Sequence, residues 1–153
     1  LSRRRQRQMC IRDRLRLFDT KGKEVANTFY WRSNDKYEGR KTLTGPTSSG
    51  FEDLSKLKQV QLKTRYQTYQ EGDRHFIKAE IKNPSSTVAF FTQLQLLGQD
   101  KKPVRPSFYT DNFFSLLPGE SKTVIIETAA SDMPSEPTFV VKGWNIKPSS
   151  FKL

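Results

Sequence analysis

With 153 residues, the chain is long enough for one domain of ordinary size and a fragment of a second. Its formal net charge of +11 is concentrated at the start, because residues 1–16 hold seven arginines against one acid and the rest carries only +5. The single cysteine, Cys10, excludes a disulfide within the chain and a thiolate metal cluster, and no apolar run approaches the ~18 residues of a membrane-spanning helix.

Residues 1–14 form a basic leader with three interpretations. Arginine clusters release counterions from phosphate groups, so an arm that binds nucleic acid is one of them. No aromatic platform or helix-turn-helix pattern follows the cluster, which weighs against it. A signal peptide is excluded, because no apolar run of ~7–15 residues follows the charges. The favoured interpretation is a disordered or non-native leader.

Residues 15–31 are predicted to form a β-hairpin. Apolar residues from Leu15 onward lead into the turn Asp19–Lys23, where a glycine suits a left-handed conformation. The chain then returns through Val25 to Trp31. Because a lone two-stranded hairpin is only marginally stable in water, this segment is interpreted as the terminal hairpin of a preceding β-sandwich domain.

Residues 32–57 show no sustained periodicity, so they are predicted to be a linker between domains or a loop with a function. Phe51, Leu54 and Leu57 recur at three-residue spacing near its end. This spacing predicts a single helical turn that holds the linker against a core.

Residues 58–146 are predicted to form an all-β domain. Apolar and polar residues alternate with the period of half-buried strands, and turn residues interrupt them about every 8–12 positions. The pattern predicts an immunoglobulin-like β-sandwich of about seven strands. The predicted strands are Val60–Thr68, Ile77–Ile81, Val88–Leu97, Val104–Tyr109, Phe113–Leu117, Thr123–Thr128 and Thr138–Trp144. Residues 147–153 are predicted to be a tail.

A tight turn is predicted between the fifth and sixth of these strands. Pro118 sets the backbone angle of the second turn position, and Gly119 supplies the positive φ that a type II turn needs next. The β-branched run that begins at Thr123 then packs well on a pleated surface.

Few residues of the sequence carry chemistry. The single histidine, His75, has no second ligand at metal-binding spacing and is interpreted as a solvated strand-end residue. No nucleophile elbow or phosphate-binding glycine loop is present. Asp111 is the one acid in an aromatic setting, and it is expected to cap a turn through a hydrogen bond to nearby backbone. No catalytic residue, metal site or cofactor is predicted.

Three motifs in the second half carry a resemblance to a known family. They are Asn83-Pro84-Ser85-Ser86 before Val88-Ala89-Phe90-Phe91, the string Phe108–Glu120, and Val141-Lys142-Gly143-Trp144-Asn145. Upstream, Asn27–Trp31 is similar to the exit from the preceding sandwich domain. In this order, they resemble the C-terminal immunoglobulin-like domain of glycoside hydrolase family 2 enzymes, in the branch of exo-β-D-glucosaminidases and β-mannosidases.

The resemblance implies a non-catalytic accessory sandwich of a large, retaining glycosidase that removes terminal β-linked glucosamine or mannose. The two catalytic glutamates of that family lie in a (β/α)₈ barrel to which no part of this chain corresponds, so no residue here inherits a catalytic role. The expected partners are the other domains of the parent protein and the parent's carbohydrate substrate, without nucleic acid or membrane. The parent is expected to be secreted or periplasmic. The residues expected to contact a neighbouring domain or loop are Tyr109, Asp111, Asn112 and Trp31.

Two alternatives to this accessory role stay open. A carbohydrate-binding module would use exposed aromatic rings, and the candidates are Tyr37, Tyr69, Tyr109 and Trp144. A free-standing sandwich that binds other proteins is the second alternative. The hairpin without partner strands and the long linker weigh against it.

Overall fold

A computed structural model describes residues 10–33 and 52–153. The chain divides after Leu57 into two compact units. The regular structure of the described residues is β-strand, apart from two short 3₁₀ helices, so the predicted all-β class is confirmed. No helix among these residues has the length and apolar character to cross a membrane.

The first unit contains a hairpin of two antiparallel strands, β1 (Cys10–Phe18) and β2 (Glu24–Ser33). Its turn is held by Asp19, whose carboxylate accepts hydrogen bonds from the backbone N–H groups of Lys21 and Lys23 at 2.9 and 2.8 Å. Gly22 has the positive φ of 78° that this turn requires. The prediction of a hairpin at this place is confirmed.

The hairpin starts earlier than predicted. Residues 10–14, assigned above to the leader, lie in β1 and pair with β2, so that boundary is wrong. Arginines interrupt the apolar alternation there, which hides the strand in the sequence. The predicted helical turn is confirmed as a 3₁₀ helix at Glu52–Lys56. The rest of the predicted leader, residues 1–9, and most of the predicted linker, residues 34–51, lie outside the described residues.

The second unit is a sandwich of two four-stranded antiparallel sheets. Its strands are β3 (Lys63–Glu71), β4 (Arg74–Lys82), β5 (Ala89–Leu97), β6 (Phe108–Tyr109), β7 (Phe114–Leu116), β8 (Ser121–Ala129), β9 (Thr138–Lys142) and β10 (Ser149–Lys152). One sheet has the order β3-β4-β8-β6 and the other β10-β9-β5-β7. The predicted sandwich is therefore confirmed.

The segment 147–153 is not a tail. It contains β10, which pairs antiparallel with β9. Phe151 packs against Phe139 and Tyr66, with ring centroids 5.8 and 5.5 Å apart. The prediction failed because one inward-facing aromatic residue among serines and lysines makes too weak an alternation to indicate a strand.

The core lies between the two sheets and is built from the alternate, inward-facing residues of each strand. Burial of an aliphatic or aromatic side chain of this size stabilises the fold by about 1.5–3 kcal/mol. The fully buried side chains include Val60, Ile77, Ile81, Leu94, Leu96, Val124, Ile126, Phe139 and Val141.

The segment that leads into β3 is hydrogen-bonded to the loop between β9 and β10. Val60 forms a parallel bridge with Ile146. Its N–H donates to the carbonyl of Asn145 at 2.7 Å, and its carbonyl accepts the N–H of Lys147 at 2.9 Å. The sequence predicted that Val60 starts the first strand of the sandwich, but Val60 precedes β3. Its backbone partner lies near the other end of the sequence.

Candidate functional site

Three of the four predicted contact residues, Tyr109, Asp111 and Asn112, lie in residues 108–116, which we call the crossing segment. The segment leaves one sheet at β6, where it pairs with β8, and joins the other sheet at β7, where it pairs with β5. The side chains of Tyr109, in β6, and Asn112, between the two strands, bond to the edge of β5. The segment thus ties the two sheets together.

Asn112 takes the place of a strand peptide. Its Oδ1 accepts a hydrogen bond from the N–H of Leu94 at 2.8 Å, and its Nδ2 donates to the Leu94 carbonyl at 3.0 Å. The same Oδ1 accepts the N–H of Phe113 at 3.0 Å. Because Leu94 is only 1% exposed, Asn112 satisfies backbone groups that would otherwise lack a partner. The carboxamide is therefore committed to the fold.

Tyr109 supports the same edge from its other end. Its hydroxyl oxygen accepts the N–H of Leu96 at 3.0 Å, and the side chain packs against the core. Burial raises the pKa of the Tyr109 phenol, and the hydrogen bond from Leu96 opposes this only in part. The neutral phenol is thus a structural acceptor.

Asp111 caps its own turn, as predicted. Its Oδ1 accepts the N–H of Asn112 at 2.7 Å, and its Oδ2 is bound by the ammonium group of Lys122. The Lys122 Nζ also lies 5.0 Å from the centre of the Phe114 ring. With both oxygens engaged and no second acid in the crossing segment, Asp111 does not form the carboxylate pair of a glycosidase.

Trp31, the fourth predicted contact residue, lies in the first unit. Its backbone is in β2, opposite Arg12 of β1, and its side chain is outside the described part of the structure. Contact with a neighbouring domain stays a prediction for Trp31, as it does for the three residues of the crossing segment.

Two acids, Asp100 and Asp132, help to line a depression of about 310 Å³, together with Lys102 and Arg105. The Asp100 carboxylate accepts the backbone N–H of Lys102 at 3.0 Å and pairs with its Nζ at 3.1 Å. These contacts, the backbone hydrogen bond foremost, lower the pKa of Asp100. A general acid needs a raised pKa, so Asp100 is unsuited to that role. In the part of the chain that the structure describes, no three or more His, Cys, Asp or Glu residues are grouped to hold a metal ion.

Asn83 is a buried residue to which the sequence assigned no role. Its Nδ2 donates to the carbonyls of Thr87 and Leu116 at 2.8 and 3.0 Å. Its Oδ1 accepts the N–H and the hydroxyl of Ser85 at 3.1 and 2.7 Å. The carboxamide therefore links the loop after β4 to β7. In the sequence, Asn83 was distinguished by its position directly before a proline, within the motif Asn83-Pro84-Ser85-Ser86.

Asn145 links the loop after β9 to the segment before β3 and to the start of β5. Its Nδ2 donates to the carbonyls of Lys58 and Val88 at 2.9 and 2.8 Å, and its Oδ1 accepts the N–H of Phe90 at 2.8 Å. It is 6% exposed. An asparagine between Trp144 and Ile146 was the signal that could have revealed it.

An exposed aromatic patch is formed by Phe113 of the crossing segment together with Phe91 and Trp144. These side chains are 49%, 49% and 61% exposed. The ring centroids of Phe91 and Phe113 are 5.4 Å apart, with an interplanar angle of 47°. The N–H of Trp144 donates to the carbonyl of Phe90 at 3.0 Å, which brings its backbone next to that of Phe91.

Both phenylalanines of the patch have left-handed backbone conformations, with φ of 58° at Phe91 and 55° at Phe113. Such a conformation costs a residue with a Cβ roughly 1–2 kcal/mol. At Phe91 it coincides with the register shift in the pairing of β5 with β7, and the residue's N–H donates to the Ser115 hydroxyl at 3.2 Å. The fold thus holds both rings at the surface at a cost in backbone energy.

The aromatic candidates for a sugar platform differ in exposure. Tyr69 stacks on Phe76, with centroids 5.0 Å apart, and is 37% exposed, whereas Tyr109 is half-buried. Tyr37 lies outside the described residues. Among the three that are described, Trp144 offers the most accessible ring.

Residues 42–146 match the family described as the exo-beta-D-glucosaminidase Ig-fold domain. The chain belongs to this family. The match includes the crossing segment, both buried asparagines and the aromatic patch. The sandwich is accordingly an accessory Ig-fold domain of the exo-β-D-glucosaminidase type, and the resemblance seen in the sequence is confirmed.

Two curated relatives have the name of the family. The exo-beta-D-glucosaminidase of Streptomyces avermitilis is 32% identical over an alignment of 142 positions that covers 86% of this chain and 16% of the relative. The exo-beta-D-glucosaminidase of Amycolatopsis orientalis is 29% identical over an alignment of 140 positions that covers 84% of this chain and 14% of the relative. The chain thus spans about a sixth of the first relative and a seventh of the second.

A similar fold is present in the crystal structure of the exo-chitosanase CsxA of Amycolatopsis orientalis. The TM-score is 0.78 at 23% sequence identity, over 95% of this chain and 18% of that chain. At this identity the likeness concerns the fold. In that protein too, the two units of our chain correspond to a minor part of a long polypeptide.

Proposed function

We propose that the chain is an accessory part of a retaining exo-β-D-glucosaminidase of glycoside hydrolase family 2, whose other domains hydrolyse terminal β-linked glucosamine. The observation that carries this proposal is the family match over residues 42–146. The relatives' names favour glucosamine over mannose. Activity on β-mannosides, which the sequence resemblance also implied, is the less supported specificity.

The described residues support a role without catalysis. The acids best placed for chemistry, Asp111 and Asp100, are each held by a lysine. The buried polar side chains Asn83 and Asn145 bond to the protein's own backbone. These groups make the sandwich a firm support, and the catalytic pair belongs to another domain.

We further propose that the first unit's hairpin completes a neighbouring sandwich. Leu15 and Leu17 of β1 share one face with Tyr30 of β2, since their β2 partners alternate with it in register. These side chains are 63%, 62% and 51% exposed. Strands with an uncovered apolar face are stable when a further sheet covers them, which supports additional domains in the same polypeptide.

The proposed function is tested with chromogenic substrates. We expect no release of nitrophenol from nitrophenyl β-D-glucosaminide by the purified 153-residue chain. The longer polypeptide encoded with it should release nitrophenol, and faster than from the β-D-mannoside. Turnover by the chain alone would contradict the accessory role, and a preference for mannoside would contradict the specificity.

A carbohydrate-binding module is the second candidate, because the Trp144 ring is 61% exposed. Against it, residues 58–153 hold thirteen basic and nine acidic residues, and this positive charge repels protonated amino sugars. Calorimetry with glucosamine and mannose oligomers decides between the accessory role and the carbohydrate-binding module. Millimolar or tighter binding that Trp144→Ala abolishes and Tyr69→Ala retains would favour the module.

A free-standing interaction sandwich is less supported, because the relatives carry this domain in much longer chains.

A further inference from the structure

The exposed aromatic patch is a surface feature that structural support inside the sandwich does not explain. Phe91 and Phe113 pack on each other at the surface, with about half of each side chain exposed. Their planes are inclined by 47°, so the pair does not form the flat platform on which a sugar ring stacks. An inclined pair of rings forms a ridge, which suits insertion between side chains of another protein surface.

The backbone indicates that this ridge is maintained for a reason. Both phenylalanines have positive φ, a conformation that glycine would adopt without strain. Strained residues persist where the surrounding structure imposes them, and they cluster at functional surfaces. Here the N–H of Phe113 donates to the Asn112 carboxamide and the N–H of Phe91 donates to the Ser115 hydroxyl, so both strained residues are held by the path of the crossing segment beside β5.

The area of the patch indicates which kind of protein surface could cover it, a second copy of this chain or another domain of the same polypeptide. From the exposed fractions of the three side chains, the aromatic area available is roughly 240–400 Å². Two free proteins that associate stably bury about 800 Å² each, so a second copy of this chain would bind weakly. Domains of one polypeptide pack through interfaces of about 600–1,500 Å² in total, because the covalent link supplies a high effective concentration.

We propose that the aromatic patch is the docking surface for a neighbouring domain of the same polypeptide, which offers it an apolar recess. This inference rests on the proposed function, since it requires a longer chain. It assigns the contact to Phe91, Phe113 and Trp144, while Tyr109, Asp111 and Asn112 shape the patch.

Hydroxyl-radical footprinting compares the 153-residue chain with the longer polypeptide that contains it. We expect oxidation of Phe91, Phe113 and Trp144 to fall severalfold in the longer polypeptide. Phe108, which is 57% exposed and lies on β6 in the other sheet, serves as the internal control and should stay as reactive as in the short chain. Equal oxidation of the patch in both proteins overturns the inference, and so does equal protection of Phe108.

The double variant Phe91→Gly with Phe113→Gly separates docking from folding. It removes both rings and their backbone strain, so the short chain should unfold at an unchanged or higher temperature. In the longer polypeptide, the same variant should restore oxidation of Trp144, whereas Phe108→Ser should not. Persistent protection of Trp144 in the double variant overturns the inference.

A second copy of the chain or a sugar, bound at the patch instead of a neighbouring domain, would give different footprinting results. Protection in the short chain that rises with its concentration, together with a dimer in sedimentation, identifies a second copy and contradicts the proposal. Protection of the short chain by glucosamine oligomers identifies a sugar site and also contradicts it. Release of nitrophenol by the longer polypeptide reports the proposed function separately: release with an unprotected patch rejects the docking surface alone, and a protected patch without release rejects the proposed activity alone.

Discussion

The carboxamides of Asn83, Asn112 and Asn145 each bond to backbone groups of segments distant in sequence. A carboxamide has one accepting and one donating side, as a peptide group has, so it can complete a strand edge where no strand runs. This explains how loops of irregular path are attached to the sheets without leaving buried backbone groups unsatisfied.

Replacement of Asn112 by Ala tests this role. Both backbone groups of Leu94 lose their partner in a buried position, and we expect the free energy of unfolding to fall by about 2–4 kcal/mol, since each unsatisfied group costs about 1–3. Urea denaturation measures the change. The control is Gln99→Ala, because this exposed side chain makes one long bond, of 3.4 Å, to Glu136. An equally small effect of both variants would contradict the assignment.

Gly119 tests the turn predicted from the sequence. Its φ is 80°, and the N–H of Glu120 donates to the carbonyl of Leu117 at 3.0 Å, which closes the turn as predicted. An added Cβ would meet no atom within 4 Å, so only backbone strain opposes substitution. Gly119→Val should lower stability by about 1–2 kcal/mol, and Gly119→Asn by less, because asparagine tolerates this conformation. Thermal unfolding that ranks the two variants the other way would contradict the argument.

At the scale of elements, the crossing segment shows what sequence alternation can and cannot predict. The alternation in β4, β5 and β8 arises because one face of each strand is covered and the other faces solvent, so these strands were predicted nearly in full. The predicted strand Val104–Tyr109 is reduced to Phe108–Tyr109, and the side chains of Asn112 and Tyr109 supply hydrogen bonds along the edge of β5. Such long-range bonds leave no local pattern. The contact residues were predicted from resemblance for the same reason.

The link between the crossing segment and β5 depends on pH through Tyr109. Because burial raises the pKa of its phenol, the folded state holds the proton more tightly than the unfolded state. This contribution to stability is complete below the unfolded value of about 10 and is lost as pH rises through the higher folded value. Stability should therefore fall more steeply above pH of about 10 in the native protein than in Tyr109→Phe. Urea midpoints measured from neutral to alkaline pH provide the test, and parallel curves would contradict it.

At the scale of the whole molecule, composition and turn spacing predicted a sandwich, and burial confirms which side chains fill it. The ends of the sandwich could not be predicted in the same way. Val60 pairs with Ile146, and β10 returns to cover β9. Each pairing joins two short segments that come close together only in the folded chain. The local sequence of either segment therefore does not predict the pairing.

The parallel pairing of Val60 with Ile146 also has a mechanical consequence. Tension applied through residues 58 and 153 pulls these two neighbouring segments in opposite directions along a common axis. The bonds that join Val60 to Asn145 and Lys147 are then loaded in shear and must break together. β10, by contrast, is in an antiparallel pair with β9 and peels away one bond at a time. Under stretching, the last strand yields first and the body of the sandwich resists longest.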